Sequence, residues 1–555
     1  MAYIPTLTGQ NWLFPPAIGN LIQNEDGIAF LVEGVVDSMD FSELDKKYDG
    51  PGHPAYDPRI MVKLHVQSAI DGQRSSRKIA KNARVNIVFM YHAGQATPDF
   101  RTISDFRKDN PKMIETAFKT TVELANNMEI TNLGHLSIDG TIQKANASNS
   151  KTLKRDALED IDNYIKNFIE EGIALDKEED AAYGMGKTGE DLPDDVNTPE
   201  KMKAKIKELS EKEKGEDENS QKKESQENYQ NTSDEKQENP DEKEKKRKSL
   251  AEKIKERFKK GDEEEMEKIK EKVEKAKEEM EKSGKDVVGW TDPESRFMKN
   301  KKGKIEFSYN LQIVVESGAG IIVANEVTQD YNDAYQFEPM IEDAEKNIGK
   351  LEEGTEVSID NGYYSGGNIR HANEKGLDLF VPDKGQAQEM KGKKLEEKPY
   401  DRGNFKYDEA EDEFSCPEGE KLVFSHEYTD KKGRTKRVYK GTACDNCPHK
   451  NECTTGKFRT VTIDEYWKDR LKMKEKMYTE EAKEKYKIRG MIAEKPFGDI
   501  KENQGMRTFL TRGVDKVKTE SDLVCLAHNL KRIWSFVRDG KFSLDVIKGL
   551  LCASA

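Results

Sequence analysis

Two short phrases in the chain each run into an aspartate: His135-Leu136-Ser137-Ile138-Asp139-Gly140 and Glu356-Val357-Ser358-Ile359-Asp360-Asn361-Gly362. The alternating, β-branched residues ahead of each acid predict a strand, and the glycine behind it predicts the turn that ends the strand. Carboxylates at two strand ends, distant in sequence but able to meet on neighbouring strands, make a seat for divalent metal. Hard cations such as Mg2+ take oxygen ligands, and two ions about 3.5–4 Å apart activate an attacking oxygen and stabilise a leaving one in phosphoryl transfer. A third acid would complete the set, and Glu494 is the candidate. It lies in Tyr486-Lys-Ile-Arg489-Gly-Met-Ile-Ala-Glu494-Lys-Pro-Phe-Gly-Asp-Ile-Lys501, a mostly helical stretch on which Tyr486, Arg489, Glu494 and Lys501 can share a broad face. Pro496 and Gly498 predict a kink or a restart just past the acid. Arg489 and Lys501 suit phosphate contacts, and Tyr486 suits stacking or a hydroxyl contact. Ordinary surface salt bridging is the plainer reading of the same side chains.

The cysteines form a second constellation. Cys416-Pro-Glu-Gly is followed after 27 residues by Cys444-Asp-Asn-Cys447-Pro-His449-Lys-Asn-Glu-Cys453. Four thiolates fit tetrahedral zinc: Cys444 and Cys447 supply a Cys-x2-Cys pair, and Cys416 and Cys453 complete a closed structural site, with His449 able to replace one of them. Reduced, unligated cysteines are the open alternative, and Cys525 and Cys552 read as core or tail residues. Nearer the start, Asp57-Pro58 and Gly-Pro-Gly at 50–52 are turn signals, and Ile60, Met61, Leu64 and Ile70 follow at helical spacing. Gly72-Gln73-Arg74-Ser75-Ser76-Arg77-Lys78-Ile79-Ala80 then supplies a turn, a cap and a basic first turn. A helix-turn-helix fits this pattern, with Arg74, Arg77 and Lys78 meeting DNA phosphates beside helix N-terminal amides. A solvated helix start fits it equally.

The elements that must position these groups are legible from periodicity. Phe307 to Val315 and Gly320 to Val327 predict a hairpin, Ala334 to Ile348 a helix with Phe337, Met340, Ile341 and Ala344 inward, and Leu377 to Val381 a short strand ended by Pro382. Strand, hairpin, helix and strand in that order predict a mixed α/β layer fold. With 34% hydrophobic and 36% charged residues among 555, part of the chain must be solvated. Between Lys151 and Trp290 stand 32 Lys+Arg and 42 Asp+Glu, so most of the formal net charge of −14 belongs to one segment. Its Ser220 to Pro240 portion is expected to be disordered, and its flanks, Met202 to Lys214 and Lys243 to Lys282, to be exposed helices with few apolar residues, a solvated arm. From Thr454 to Lys541 the balance reverses, with 21 Lys+Arg against 14 Asp+Glu, a local charge that suits nucleic acid. No apolar run approaches the roughly 18 residues that span a bilayer, and the start has no signal-peptide pattern, so no membrane is expected and the location is expected to be cytoplasmic, with the nucleoid.

Taken together these phrases resemble a DDE transposase of a prokaryotic insertion sequence, with an RNase H-like catalytic core, and the likeness runs almost end to end. Besides Ser-Ile-Asp139-Gly-Thr and Ser-Ile-Asp360-Asn-Gly-Tyr, similar proteins carry phrases like Pro98-Asp99-Phe-Arg-Thr-Ile-Ser-Asp-Phe106-Arg107, Asp292-Pro293-Glu-Ser-Arg296-Phe-Met-Lys299 leading into Tyr309-Asn310-Leu-Gln312, and His528-Asn529-Leu530-Lys531. The resemblance implies that Asp139, Asp360 and Glu494 bind two Mg2+ or Mn2+ ions, and that Tyr486, Arg489, Glu494 and Lys501 correspond to the family's Tyr-Arg-Glu-Lys signature. Four residues separate Arg489 from Glu494 where three are common. The implied fold is an RNase H-like mixed sheet with helices, preceded by an all-α amino-terminal domain and interrupted by a charged helical and disordered insertion and by a Cys-containing insertion. The corresponding boundaries are 1–130 for a helical DNA-binding domain, 131–150 and 291–385 for the first part of the core, 151–290 for the charged insertion, 386–480 for the Cys insertion, 481–540 for the last part of the core, and 541–555 for a tail. The implied reaction is metal-dependent cleavage of DNA at element ends and strand transfer into target DNA, on double-stranded terminal inverted repeats, by a homodimer. A catalytically inactive DNA-binding relative is the alternative.

Overall fold

The computed structural model describes residues 17–23, 26–48, 55–183, 249–393, 399–430 and 433–554. The chain divides into two compact units, one made of Met1–Asn149 with Thr291–Ala555 and the other of Ser150–Trp290.

The first unit begins with helices Ile28–Asp37, Ser42–Tyr48, Pro58–Ile70, Ser76–Val85, Ile87–Ala93, Phe100–Asp109 and Pro111–Asn127. Local caps set their starts. Asp57 accepts from the Arg59 amide with Pro58 in the first turn, Asn86 accepts from Val88 and Phe89, and Asp99 accepts from Arg101 and Thr102. The Gly-Pro-Gly signal at 50–52 lies outside the described residues.

Eight strands follow in chain order: β1 His135–Lys144, β2 Thr152–Lys154, β3 Val287–Gly289, β4 Arg296–Lys299, β5 Ile305–Glu316, β6 Ile322–Thr328, β7 Glu356–Ile359 and β8 Asp378–Phe380. All except β2 and β3 form one mixed sheet in the order β4-β5-β1-β7-β8, with β6 also on β5. The hairpin β5–β6 is antiparallel, and β1, β7 and β8 run parallel. Eleven of the twelve β5 residues are buried, so both faces of the sheet are covered. Helices Phe337–Ile348, Glu480–Gly498 and Val514–Arg538 pack on this sheet. This is the mixed α/β core expected of an RNase H-like protein.

Two expectations change here. β1 does not end at Asp139 but continues through Gly140 to Lys144, opposite β5. Gly140 pairs with Gln312, and a Cβ on it would run into the Gln312 amide and stand 2.8 Å from Asp333 Oδ1. The glycine admits close neighbours within a strand; it does not make a turn. Residues 541–555 are also more than a tail: Leu544–Ser554 is a helix that buries Ile547 and Leu551. One continuous core runs from the amino-terminal helices through the sheet to Val514–Arg538.

Within 386–480 the described residues hold a second, antiparallel sheet of β9 Lys406–Asp408, β10 Glu413–Ser415, β11 Lys421–Thr429, β12 Thr435–Gly441 and β13 Thr460–Asp464, in the order β13-β12-β11-β10-β9. Phe405, Phe414, Leu422, Tyr439, Val461 and Ile463 fill it, with Trp467 against them.

The unit Ser150–Trp290 consists, among the described residues, of the β2–β3 ladder and helices Arg155–Tyr183, Leu250–Lys260 and Glu263–Ser283. Met202 to Lys214 and Ser220 to Pro240 lie outside the described residues. Its helices are not merely solvated. Ile254 and Phe258, then Ile269, Val273, Ala276 and Met280, recur at four- and three-residue steps and close a private core with Leu158, Ile161, Ile165 and Trp290. The dense Lys/Glu coat hides this stripe in any average over the segment.

Candidate active site

Sheet register brings the first two acids together. β1 and β7 are parallel with Ile138 opposite Ile359, so the next residue on each strand is an aspartate. Asp139 is held in the strand, buried, with its Oδ1 accepting from the Gly140 amide at 2.9 Å. Asp360 follows β7 at the head of a 3-10 turn, Asn361–Tyr363, and is more open. Glu494 comes from helix Glu480–Gly498, which packs across β1 and β7.

Arg489, one and a half turns before Glu494 on that helix, stands among all three. Its Nη1 is 3.4 Å from Asp139 Oδ2, and its Nη2 is 3.7 Å from Asp360 Oδ2 and 4.0 Å from Glu494 Oε1. The guanidinium is largely buried, yet Nη1 has no hydrogen-bond acceptor among the described residues, so the ion pairs are made at distance and out of line. Burial alone would lower this arginine's pKa; Asp139, Tyr486, Asp360 and Glu494 outweigh it and push it up. Burial raises Asp139 to about 6, helped by Asp360 and opposed by Arg489 and Lys301. Tyr486 lays its ring 5.6 Å from the Arg489 guanidinium.

The helix does not stop at Pro496. It runs to Gly498 and widens into a π-helical turn, Asp499–Asn503, which carries Lys501. Lys501 Nζ donates to Thr141 Oγ1, two residues along β1 from Asp139. Burial lowers the pKa of this amine. The turn is anchored through Asp499, which accepts from His528 at 3.1 Å, Asn503 at 2.8 Å and Gln504 at 3.0 Å. Burial alone would raise the Asp499 pKa, but these bonds hold its carboxyl well below the usual range. The carboxyl-terminal phrase is thereby explained: His528 bridges Asp499 and the Gly320 carbonyl, while Asn529 pairs with both the amide and the carbonyl of Ile322.

Arg74 is placed differently from its expected role. It ion-pairs with Glu520, which is buried, and donates to the carbonyls of Gly505 at 3.1 Å and Thr508 at 3.0 Å. Gly72 beside it is at φ +66°, and a Cβ there would meet the Asn503 carbonyl at 2.8 Å. The 71–75 loop therefore buttresses the turn that carries Lys501, and Arg74 is a staple rather than a phosphate contact. Arg77 and Lys78 stay exposed, with Arg77 over the Phe100 ring at 4.7 Å.

Three features escaped the sequence reading. Asp333 accepts from Asn310 and Gln312, each at 2.7 Å, beside Gly140 and Gly362. It explains the Tyr309-Asn310-Leu-Gln312 phrase as a polar brace behind the two aspartates. Lys301, in the β4–β5 turn, lies near enough to affect both Asp139 and Lys501. Ser104, Arg107, Lys108, Arg512 and Lys516 line a cleft of about 340 Å³ with four cations.

As they stand, no three His, Cys, Asp or Glu side chains among the described residues form a ready ion cage, and at the acids Arg489 occupies the shared space. Three carboxylates around one buried cation is nonetheless a donor set suited to a hard divalent ion.

Two family models match the chain: Transposase DDE domain over residues 415–534 and Transposase domain (DUF772) over residues 17–109. Both matches are to transposase domains, and together they support an insertion-sequence DDE transposase. The first match takes in the four clustered cysteines, the Tyr486–Lys501 stretch and the His528 phrase, and the second takes in Arg74, Arg77 and Lys78. Asp139 and Asp360 lie outside both matches. No curated protein matches the chain. No described helix is long and apolar enough to cross a membrane.

Proposed function

We propose that the chain cleaves DNA strands at the ends of its element and joins the freed 3′-hydroxyl to target DNA, using Asp139, Asp360 and Glu494. The observation that carries this reading is the convergence of the three acids, from β1, the end of β7 and a distant helix, on one guanidinium. Bound there, Mg2+ or Mn2+ would supply activation of the attacking oxygen and stabilisation of the leaving one. The rest falls to the chain. Asp139, Asp360 and Glu494 supply oxygen ligands from three elements that packing fixes. Arg489 offsets their mutual repulsion and, with an unfilled donor, is available to a phosphate oxygen. Lys501 adds a second cation close to β1, and Tyr486 packs the arginine. Positioning and charge stabilisation then account for most of the rate, without a covalent enzyme intermediate. Arg77, Lys78 and the Arg107–Arg512 cleft are the surfaces we assign to duplex backbone, with two chains bridging two ends as a homodimer.

The test is strand cleavage of DNA bearing the element's terminal repeats with Mn2+, comparing wild type with Asp139→Ala, Asp360→Ala and Glu494→Ala, with DNA binding measured alongside. Cutting by the wild type, lost in every variant while binding survives, supports the reading. A variant that still cuts removes its acid from the set. A wild type that binds without cutting favours the inactive DNA-binding relative.

A further inference from the structure

Four of the six cysteines come to one place that the carboxylate chemistry does not use. Cys416 sits in the β10–β11 turn, where its amide donates to the Glu420 carbonyl at 2.8 Å and its carbonyl accepts from Gly419 at 2.8 Å. Cys444 and Cys447 bound the short 3-10 turn after β12, and Cys453 ends the one-turn helix Lys450–Cys453. These three local pieces bring all four side chains to the wall of a single pocket of about 30 Å³. All four thiols are free and half-buried, whereas Cys525 is buried in the main core and Cys552 is exposed.

The surroundings are those of a ligand cluster more than of a hydrophobic filling. The Arg459 amide points at Cys444 Sγ at 3.4 Å, a contact that a thiolate accepts better than a thiol. Gly441 leaves room for that sulfur, since a Cβ at this position would collide with it. His449 is turned elsewhere, with its ring stacked on Tyr400 at 5.6 Å and its Nδ1 toward Glu452.

We propose that Cys416, Cys444, Cys447 and Cys453 hold one structural Zn2+ as a closed four-thiolate site that ties the β10–β11 turn, the loop after β12 and the Lys450–Cys453 helix into one end of the small sheet. The four thiols do not stand as a ready cage among the described residues, so ligation requires their side chains to turn toward the ion. Each gives up its proton on ligation, so metal uptake releases protons to solvent. Four protein ligands leave no open coordination position, which makes the ion a staple and separates it from the phosphoryl chemistry. A sheet of five short strands with a core of six buried residues is the kind of small fold that such a staple completes.

The experiment is metal analysis of the full-length protein purified without chelator. About one zinc per chain is expected, falling at least about tenfold in Cys444→Ser/Cys447→Ser and unchanged in Cys552→Ser and His449→Ala. Because the double variant can fail by misfolding, unaltered protein is also titrated with an organomercurial, where zinc release should track modification of four thiols. Zinc below about a tenth of an equivalent per chain, zinc retained by the double variant, or release uncoupled from thiol modification would each overturn the proposal. Loss of zinc in His449→Ala would overturn the four-thiolate set in favour of one containing the imidazole.

Discussion

The main sheet and the inserted unit Ser150–Trp290 stabilise themselves in different ways. The sheet buries polar side chains throughout: Ser137, Asp139, Gln143, Asn310, Gln312, Asn325 and Ser358 are all buried, and most serve a specific neighbour. Glu316, fully buried, accepts from the amides of Asn132, Gly318 and Ile321. The inserted unit has a core of aliphatic and aromatic residues under a coat of i,i+3 and i,i+4 pairs such as Lys268–Glu264 and Lys270–Glu267. Buried polar networks cost desolvation but fix geometry, whereas an aliphatic core holds a shape without prescribing the place of any one atom. The first region fixes individual side chains, Asp139 among them; the second holds a shape.

The largest expected effect follows from removing the cation at the centre of that network. Arg489→Met keeps the bulk and removes the charge, so strand cleavage should fall by about 10²-fold or more while zinc content and DNA binding hold. Asp139 and Asp360 would then face each other uncompensated, and Mn2+ should raise the thermal midpoint of this variant more than that of the wild type. Cleavage at the wild-type rate would reduce Arg489 to a packing group.

Cavity formation should separate the two regions. Phe258 is fully buried and edge-on to Phe168 at 5.6 Å. Phe258→Ala should cost the inserted unit about 4 kcal/mol. Calorimetry should show an early transition for that unit alone, with limited proteolysis cutting first between 150 and 290. A uniform shift of the whole unfolding curve would mean that the two units fold as one.

Arg74→Met tests the polar region by the opposite route. It leaves Glu520, 1% exposed, without its ion-pair partner, and breaking a buried pair costs about 3 kcal/mol. Three donors from Leu510 and Thr511 remain on Glu520, which keeps the expectation at the low end of that range. Chemical unfolding measures it, and an unchanged midpoint would return Arg74 to the role of a phosphate contact.

These contrasts also explain what was legible in the sequence. The strands that carry Asp139 and lead into Asp360 were readable because their alternation is local. The hairpin and the helix over Phe337–Ile348 were readable for the same reason. Gly140 was misread because the atoms that exclude a side chain there come from Gln312 and Asp333, on other elements. Arg74 was misread because its partner lies 446 residues away. The stripe Ile269, Val273, Ala276 and Met280 was missed because composition averages over the three helix faces that carry lysine and glutamate. Asp333 gave no signal at all, since its meaning depends on two amides from β5.

A smaller effect should appear on pH. Asp292 is buried, accepts from Tyr309 at 2.9 Å and from the Gly513 amide at 3.1 Å, and leaves Oδ2 unpartnered among the described residues. Burial raises its pKa to about 6. The folded chain thus keeps a proton that the unfolded chain loses near pH 4. Its contribution is fully present below that value and is lost as pH rises through about 6. Asn cannot ionise, so Asp292→Asn should gain about 2 kcal/mol on the wild type between pH 4.5 and 7, read from urea curves at the two pH values. A constant difference would mean that Asp292 ionises freely.

The smallest expected change distinguishes neighbours in one short stretch. Arg74 is consumed within the fold, while Arg77 and Lys78, three and four residues on, project from the first turn of Ser76–Val85. If that turn meets a duplex backbone, each exposed cation displaces about one counterion. Arg77→Ala and Lys78→Ala should then each reduce the slope of log affinity against log salt by about one. The loss should be the same on terminal-repeat and unrelated DNA, because phosphate contacts carry no sequence, and the unfolding midpoint should stay put. Arg77 also rests on the Phe100 ring, so its removal should cost slightly more than that of Lys78. Unchanged slopes in both variants would move the contact to the cleft of Arg107, Lys108, Arg512 and Lys516, where the same measurement on Lys516→Ala would decide.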